Sequence, residues 1–446
     1  MDIVSLFSGC GGLDVGFEKA GFNVIWANEY DTSIHETYRC NHPQTFLNTS
    51  DIRTVDVSDI PDCDGIIGGP PCQSWSLGGK SLGLNDARGR LMFDYIRIVQ
   101  GKRPKFFILE NVPGMLSSQH TQTFHFFLKM FREIGYIVKY ELINSSDFQI
   151  PQDRVRIIVV GVRNDINVEY YFPVPKHNNK ITLRQAIGDL KLSPSPYNME
   201  IVKQKNDIIK NHDYYTGPFD RKFMARNRVR SWDEQSYTIQ AQAKNEPLHP
   251  QAPKMIYVSY NERKFVQGFE SKYRRLSVRE CARIQTFPDS FYFYYKDIRD
   301  GYKMVGNAVP PRLAFTLAMS IKECINKYSN HHILVGYVKN LKDLSLIRQF
   351  NIYYVRGGKR IGAIQYGQIE KNIEWLYLHH GDKKWAFELT NEKATPCDKG
   401  YLKNIGFNPR GNEYWLFHIK KEISDITELA KQVESKYELT KEPFVL

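Results

Sequence analysis

The segment Gly68–Ser76 (GGPPCQSWS) holds the residue whose chemistry stands out first. Two glycines and two prolines make a stiff, extended loop, and Cys72 sits at its tip with a thiol that could act as a nucleophile. A lone cysteine is more often a small buried hydrophobe, so its place on a Pro-stiffened loop beyond an apolar run is what distinguishes it. Glu110 closes the apolar run Phe106–Leu109 and opens ENVPGM. Burial there would favour the protonated acid, which can protonate or hydrogen-bond a ring nitrogen; a capping carboxylate is the plainer alternative. In Pro151–Gly161 (PQDRVRIIVVG), Arg154 and Arg156 alternate along a strand and share a face. Two guanidiniums there could clamp a carbonyl oxygen and a carboxylate, or form a surface ion pair.

A second group of residues suits a nucleotide-like ligand. Phe7–Phe17 (FSGCGGLDVGF) lies between a strand and a helix, where glycines let the backbone turn tightly and approach a cofactor. Asp14 stands where a GxGxxG motif needs its third glycine, which disfavours a dinucleotide. Glu29, at the end of the next strand, can accept from ribose hydroxyls, and Asp51, after the third, from an adenine amino group. Tyr302–Pro311 (YKMVGNAVPP) reads as a turn at Gly306–Asn307 before a helix.

These residues need a scaffold that presents them together. Asp2–Phe7, Asn23–Ala27, Gly65–Gly68 and Phe106–Asn111 read as strands. Leu13–Ala20, Thr32–Arg39, Arg90–Gly101 and Thr121–Ile134 read as the helices between them. Such alternation predicts an α/β fold with a mostly parallel sheet, whose ligands bind beyond the carboxyl ends of the strands. From Phe172 to Lys272 periodicity fades and basic residues cluster in Arg221–Arg230, as in a loop-rich second domain. Helical patterning resumes at Ser277–Ile284 and Pro311–Tyr328. Asn326–His332 reads as a polar linker, and 333–446 as a small α+β domain with strands at Ile352–Val355 and Trp375–Leu378 and a helix at Ile423–Tyr437. The expected division is 1–171, 172–272, 273–328 and 333–446.

The bulk properties agree with a nucleic-acid partner. The 446 residues carry a formal net charge of +12, and phosphate neutralisation rewards such an excess, although a solvated basic surface would give the same count. Seven cysteines without a CxxC pair argue against a zinc site or a disulfide framework. No apolar run approaches a membrane span, so a cytoplasmic protein is expected.

Taken in order over residues 1–325, FSGCGGLDVGF, GGPPCQSWS, ENVPGM, QDRVR, RRLSVRECARIQTFPDSF and GNAVP resemble the motif set of DNA cytosine-5 methyltransferases. The resemblance implies a Rossmann-like methyltransferase sheet, a target-recognition domain after QDRVR, and S-adenosyl-L-methionine as cofactor. It assigns Phe7, Gly9, Gly11, Gly12 and Leu13 to the methionine side, Glu29 to the ribose and Tyr30 to the face of adenine. Asp51 and Ile52 fall at the adenine edge, and Pro70, Asn307 and Val309 complete the pocket. It implies that Cys72 adds to carbon-6 of a flipped-out cytosine, Glu110 assists at ring nitrogen-3, Arg156 holds the cytosine oxygen and Arg154 supports the site. The loop from Gln73 to Arg90 is similar to the family's mobile segment. A transfer-RNA enzyme of the same chemistry is disfavoured by the large region before Lys272 and by the absence of a Cys-Phe-Thr tripeptide.

Phe223–Arg230, Ser231–Gln240 and Leu248–Pro253 resemble bacterial enzymes that modify GGCC, whereas Gln242–Pro247 (QAKNEP) lacks the arginine expected there. Arg226, Arg228 and Arg230 are candidates for guanine contacts, and Gln73, Ser76 and Gln240 for other DNA contacts. The implied partner is double-stranded DNA, bound by a monomer, with a cognate restriction endonuclease as functional counterpart. The role of 333–446 stays open.

Overall fold

The computed structural model describes residues 1–446 apart from 72–90, 167, 176–179, 191–192, 198–208, 330–331, 339–340, 357–372, 381, 391–394, 408–412, 425, 435–443 and 446. The chain forms two compact units, Met1–Ile325 and Asn326–Leu446.

The first unit is built on seven strands: β1 (Asp2–Leu6), β2 (Asn23–Asn28), β3 (Phe46–Asn48), β4 (Gly65–Gly68), β5 (Phe106–Asn111), β6 (Tyr136–Asn144) and β7 (Val155–Arg163). Their order is β3-β2-β1-β4-β5-β7-β6. The first five are parallel, and β7 runs antiparallel between β5 and β6. Every residue of β4 and β5 is buried, as expected for central strands covered on both faces, and their sequences GIIG and FFILEN are correspondingly near-continuous apolar runs.

Helices α1 (Gly12–Lys19), α2 (His35–Asn41), α3 (Leu91–Lys102) and α4 (Thr121–Glu133) connect the strands. Helix α4 buries Phe124, Phe127, Leu128 and Phe131, an i, i+3, i+4, i+7 stripe, and Phe131 stacks on Phe107 of β5 at 4.2 Å. The carboxyl ends of β1, β2, β4 and β5 therefore open along one edge of a rigid, fully packed sheet.

After β7 the elements are short: α5 (Leu183–Ile187), β8 (Ser195–Pro196), β9 (Asp213–Tyr214), α6 (Arg221–Met224), and the hairpin of β10 (Ile256–Ser259) and β11 (Glu262–Lys264). A small core of Phe223, Val229, Leu248, Ala252, Met255 and Tyr273 holds part of this stretch together. Helices α7 (Val278–Ile284) and α8 (Ile298–Asn307) then share a core with Cys10, Val15 and Ile34, and α9 (Pro311–Ser329) lies against Gly16 of α1. Two expectations change here. Tyr302–Asn307 is the last part of a helix rather than a free turn, and Gly306 is a glycine because a Cβ would meet the Gln240 carbonyl at 2.2 Å. The linker expected over Asn326–His332 is largely structured, since α9 runs to Ser329 and the next strand begins at His332.

The second unit is a mixed sheet flanked by helices. Strands β12 (His332–Tyr337), β13 (Ile352–Arg356), β14 (Ile373–His380), β15 (Lys383–Leu389), β16 (Thr395–Asp398), β17 (Glu413–Ile423) and β18 (Phe444–Val445) take the order β13-β17-β15-β14-β12-β18, with β16 beside β17. Leu376, Leu378, Phe387 and Leu402 lie in its own core. The helix expected from Ile423 begins at Thr427, because Ile423 still belongs to β17, paired with Ala386.

Candidate active site

A cavity of about 1140 Å³ lies over the carboxyl ends of the central strands. Its wall begins with the turn after β1. Phe7 (φ 54), Gly9 (φ 56) and Gly11 (φ 91) all adopt left-handed backbone, a conformation that favours glycine and strains phenylalanine. The glycines serve different ends. A Cβ on Gly9 would enter open space, so this position faces the cavity, whereas one on Gly11 would strike His42 Nε2 at 2.0 Å and one on Gly12 the Val309 carbonyl at 2.4 Å. Gly11 and Gly12 are thus required as glycines by packing against α2 and the loop before α9.

Glu29 follows β2 and is fastened on both sides, with Gly9 N–H donating to Oε2 at 2.9 Å and Asp31 N–H to Oε1 at 2.8 Å. Burial pushes its carboxyl up, against the effect of those two donors. Tyr30 beside it is 67% exposed at the rim. Asp51 caps a short turn through Arg53 N–H and also pairs with the Arg53 guanidinium, which holds its carboxyl below the usual range. Its oxygens, expected from the sequence to accept from an adenine amino group, are partly engaged within the chain.

Loop Gly69–Pro71 follows β4 and enters the cavity wall, anchored by Asn111 Nδ2 donating to the Pro70 carbonyl at 3.3 Å. Gly68 permits β4 to lie against β1, because a Cβ would meet Leu6 O at 2.4 Å. Cys72, Gln73 and Ser76, together with the loop to Arg90, lie outside the described residues.

Glu110, the penultimate residue of β5, lines the same cavity. The sequence pointed to apolar burial and to a carboxylate held by the arginine pair; the structure puts Arg156 in that place, with Nε 3.1 Å from Glu110 Oε1. That oxygen is buried and, among the described residues, receives no well-aligned hydrogen bond, so it keeps accepting capacity. The two arginines that share a face divide their work. Arg156 meets Glu110, while Arg154 is only 1% exposed and donates to the carbonyls of Ile239 (3.4 Å), Gly306 (3.0 Å) and Ala308 (3.0 Å). Burial, with Arg156 nearby, lowers the Arg154 guanidinium to about 9. A clamp formed by both guanidiniums is therefore replaced by one ion pair and one internal strut.

Glu110, Arg154, Arg156 and Gln240 line the cavity, as do all the residues expected to contact a cofactor except Gly11. The three arginines expected at guanines do not line it. Arg228 is 6% exposed, donates to the carbonyls of Phe223 and Lys222, and lies 4.8 Å from the Phe223 ring centroid. Arg230 is bound to Asp153 and Glu234, both at 3.3 Å. Arg226 is exposed. Further lining residues that sequence reasoning passed over include Asp31, Asn111, Lys222, Thr238 and Lys303. Asn111 and Lys303 stood inside quoted motifs, ENVPGM and YKMVGNAVPP, and their polar types were the available signal.

Most charged groups of the lining are paired: Asp51 with Arg53, Asp31 with Lys303, and Glu110 with Arg156.

A family model described as C-5 cytosine-specific DNA methylase matches residues 1–323. The chain belongs to that family. It is 48% identical over 334 residues to the Type II methyltransferase M.NgoPII of Neisseria gonorrhoeae, a match covering 73% of this chain and 97% of that protein. It is 50% identical over 329 residues to the Type II methyltransferase M.FnuDI of Fusobacterium nucleatum, covering 73% and 95%. Among solved structures, Entamoeba histolytica methyltransferase EhMeth aligns with a TM-score of 0.55 at 15% identity, over 74% of this chain and 99% of that one. Spodoptera frugiperda DNMT2 aligns with a TM-score of 0.52 at 18% identity, over 73% and 99%. These two show a shared fold.

As a C-5 cytosine-specific DNA methylase, the chain methylates cytosine in DNA with S-adenosylmethionine as methyl donor. The residues present fit that donor: Gly9 leaves the wall open where any side chain would intrude, and Glu29 offers part-buried carboxylate oxygens for hydroxyls.

Proposed function

We propose that the cavity holds the methyl donor at the end formed by Phe7, Gly9, Gly12, Leu13, Glu29, Tyr30, Asp51, Ile52, Pro70, Asn307 and Val309, and a flipped-out cytosine at the end formed by Glu110 and Arg156. The observation that carries this reading is the convergence of both residue sets on one cavity. Bound S-adenosylmethionine supplies an electrophilic methyl group.

The protein's share is to make cytosine carbon-5 nucleophilic. The Cys72 thiolate adds to carbon-6, and the ring electrons move to carbon-5. Glu110 in its carboxylic acid form donates its proton to ring nitrogen-3 as the thiolate adds, and Arg156 both orients Glu110 and meets the cytosine oxygen. Arg154 keeps the segments of Ile239 and Gly306–Ala308 in place around the pocket. After transfer, the carbon-5 proton leaves, the carbon–sulfur bond breaks and aromaticity returns. Replacing Cys72 by Ser is expected to abolish methylation and leave duplex binding in gel-shift assays intact; normal turnover would sink the assignment.

Residues 172–272 form the recognition region in this reading, acting on short duplex sites as the protective half of a restriction-modification pair. A cognate endonuclease is the functional counterpart, and a cytoplasmic monomer binds the DNA. GGCC is the proposed target on the likeness of Phe223–Arg230 and Ser231–Gln240, with exposed Arg226 the arginine best placed for a base or phosphate. Bisulfite sequencing of host DNA after expression tests the target: protected cytosines confined to another motif would refute GGCC.

A further inference from the structure

The loop after β2 and helix α8 come from opposite ends of the first unit's chain, yet one ammonium joins them. Lys303 Nζ lies 2.9 Å from Asp31 Oδ2, 2.8 Å from Ser33 Oγ and 3.1 Å from Asp300 Oδ1. Asp31 is prepared to receive it. Its Oδ1 accepts from Ser33 N–H at 3.1 Å and from Ser33 Oγ at 2.7 Å, while its own N–H donates to Glu29 Oε1 at 2.8 Å. Glu29 in turn accepts from Gly9 N–H at 2.9 Å. The series Gly9, Glu29, Asp31, Lys303 thus ties the β1 turn, the β2 loop and α8 into one wall, and all four residues line the cavity.

The arrangement also fixes the charge of that wall. Asp51 is matched by Arg53, whereas Lys303 stands between Asp31 and Asp300, so this wall keeps one carboxylate in excess beside Glu29. Asp31 and Lys303 are both partly exposed, so removing either changes the local charge by one unit without leaving a deeply buried partner stranded. This matters because the two molecules that must alternate here differ mainly in charge. The methyl donor carries a sulfonium cation, and its demethylated product, S-adenosylhomocysteine, is a neutral thioether.

We propose that the Asp31–Lys303–Asp300 clasp is a specificity-determining element that sets the affinity ratio between the sulfonium donor and the thioether product. The proposal rests on the reading that this end of the cavity holds the donor. Losing the ammonium leaves two unmatched carboxylates, Asp31 and Asp300, and favours the cation; losing Asp31 leaves Lys303 matched by Asp300 alone, which removes the excess negative charge, favours the product and deepens product inhibition. With one ammonium between two carboxylates, the wall favours the donor without making exchange depend on one strong electrostatic contact.

Calorimetric titration of the full-length chain with each ligand separately tests this. The ratio of product Kd to donor Kd is expected to rise about twofold in Lys303→Gln and to fall about twofold in Asp31→Asn, the order set by one charge roughly 10 Å away in a largely aqueous medium. Both changes should shrink toward the wild-type ratio in about 0.5 M salt, and Lys303→Arg should keep that ratio. Equal weakening of both ligands in both variants would overturn the proposal, reducing the clasp to a mechanical brace while the donor site stands. Unchanged binding of both ligands in every variant would overturn the donor-site reading as well.

Discussion

Arginines show how little a residue type says until its partners are known. Arg154 and Arg228 are buried and donate to main-chain carbonyls, Arg154 joining segments distant in sequence and Arg228 bracing its own. Arg154→Ala would leave the carbonyls of Ile239, Gly306 and Ala308 without that donor, at a cost of about 3–5 kcal/mol, the scale of a broken buried charged contact. Urea denaturation is expected to show a lower midpoint, and turnover should fall with it because the same carbonyls belong to the cavity wall. Arg226 is the contrasting case. Arg226→Ala should change stability by less than about 0.5 kcal/mol and reduce the salt dependence of duplex binding by about one phosphate contact. Equal loss of stability in the two variants would contradict this division.

Elements were legible where their signals were local. The buried runs of β4 and β5, the Phe stripe of α4 and the glycine turn after β1 can be read over a few consecutive residues, and the structure places strands, helix and turn there. Contacts across the chain were not legible. Nothing near Lys303 announces Asp31, nothing near Gly12 announces Val309, and the carbonyls that occupy Arg154 arrive from residues 239, 306 and 308. Glu110 lies between these cases: its burial follows from β5, but its ion pair with Arg156 needs the β5–β7 pairing.

Helix α7 gives an element-scale test. Ser277 and Glu280 form a reciprocal capping box, and Glu280 also meets Arg274 at 2.7 Å. Burial would raise the Glu280 carboxyl, but Arg274, His249 and the Ser277 N–H outweigh it and hold the group at about 2. A carboxyl depressed in the folded state stabilises above its unfolded pKa, and that contribution disappears as pH falls through the folded value. Glu280→Gln should therefore cost about 3 kcal/mol near pH 7, with the gap to wild type closing between about pH 4.5 and 2. A gap independent of pH would show that the cap, not the charge, carries the effect.

At the scale of the whole molecule, chemistry and additional mass fall in different units. The family match ends at residue 323, and relatives that align over 95% or more of their own length cover only 73% of this chain. The second unit has its own seven-stranded sheet and its own core of Leu376, Leu378, Phe387 and Leu402, as an independently folding domain requires. Every described residue of the cavity lies before position 310. A chain ending after Ser329 should therefore fold, bind S-adenosylhomocysteine with unchanged affinity and methylate its site with a kcat within about threefold of the full chain, since that cut leaves every helix of the first unit complete. Single-turnover assays on short and long duplexes would separate the remaining roles. A defect seen only on long DNA would make 333–446 an auxiliary DNA-contacting domain. A defect of tenfold or more on the short duplex, with cofactor binding intact, would show that the catalytic unit depends on the second one.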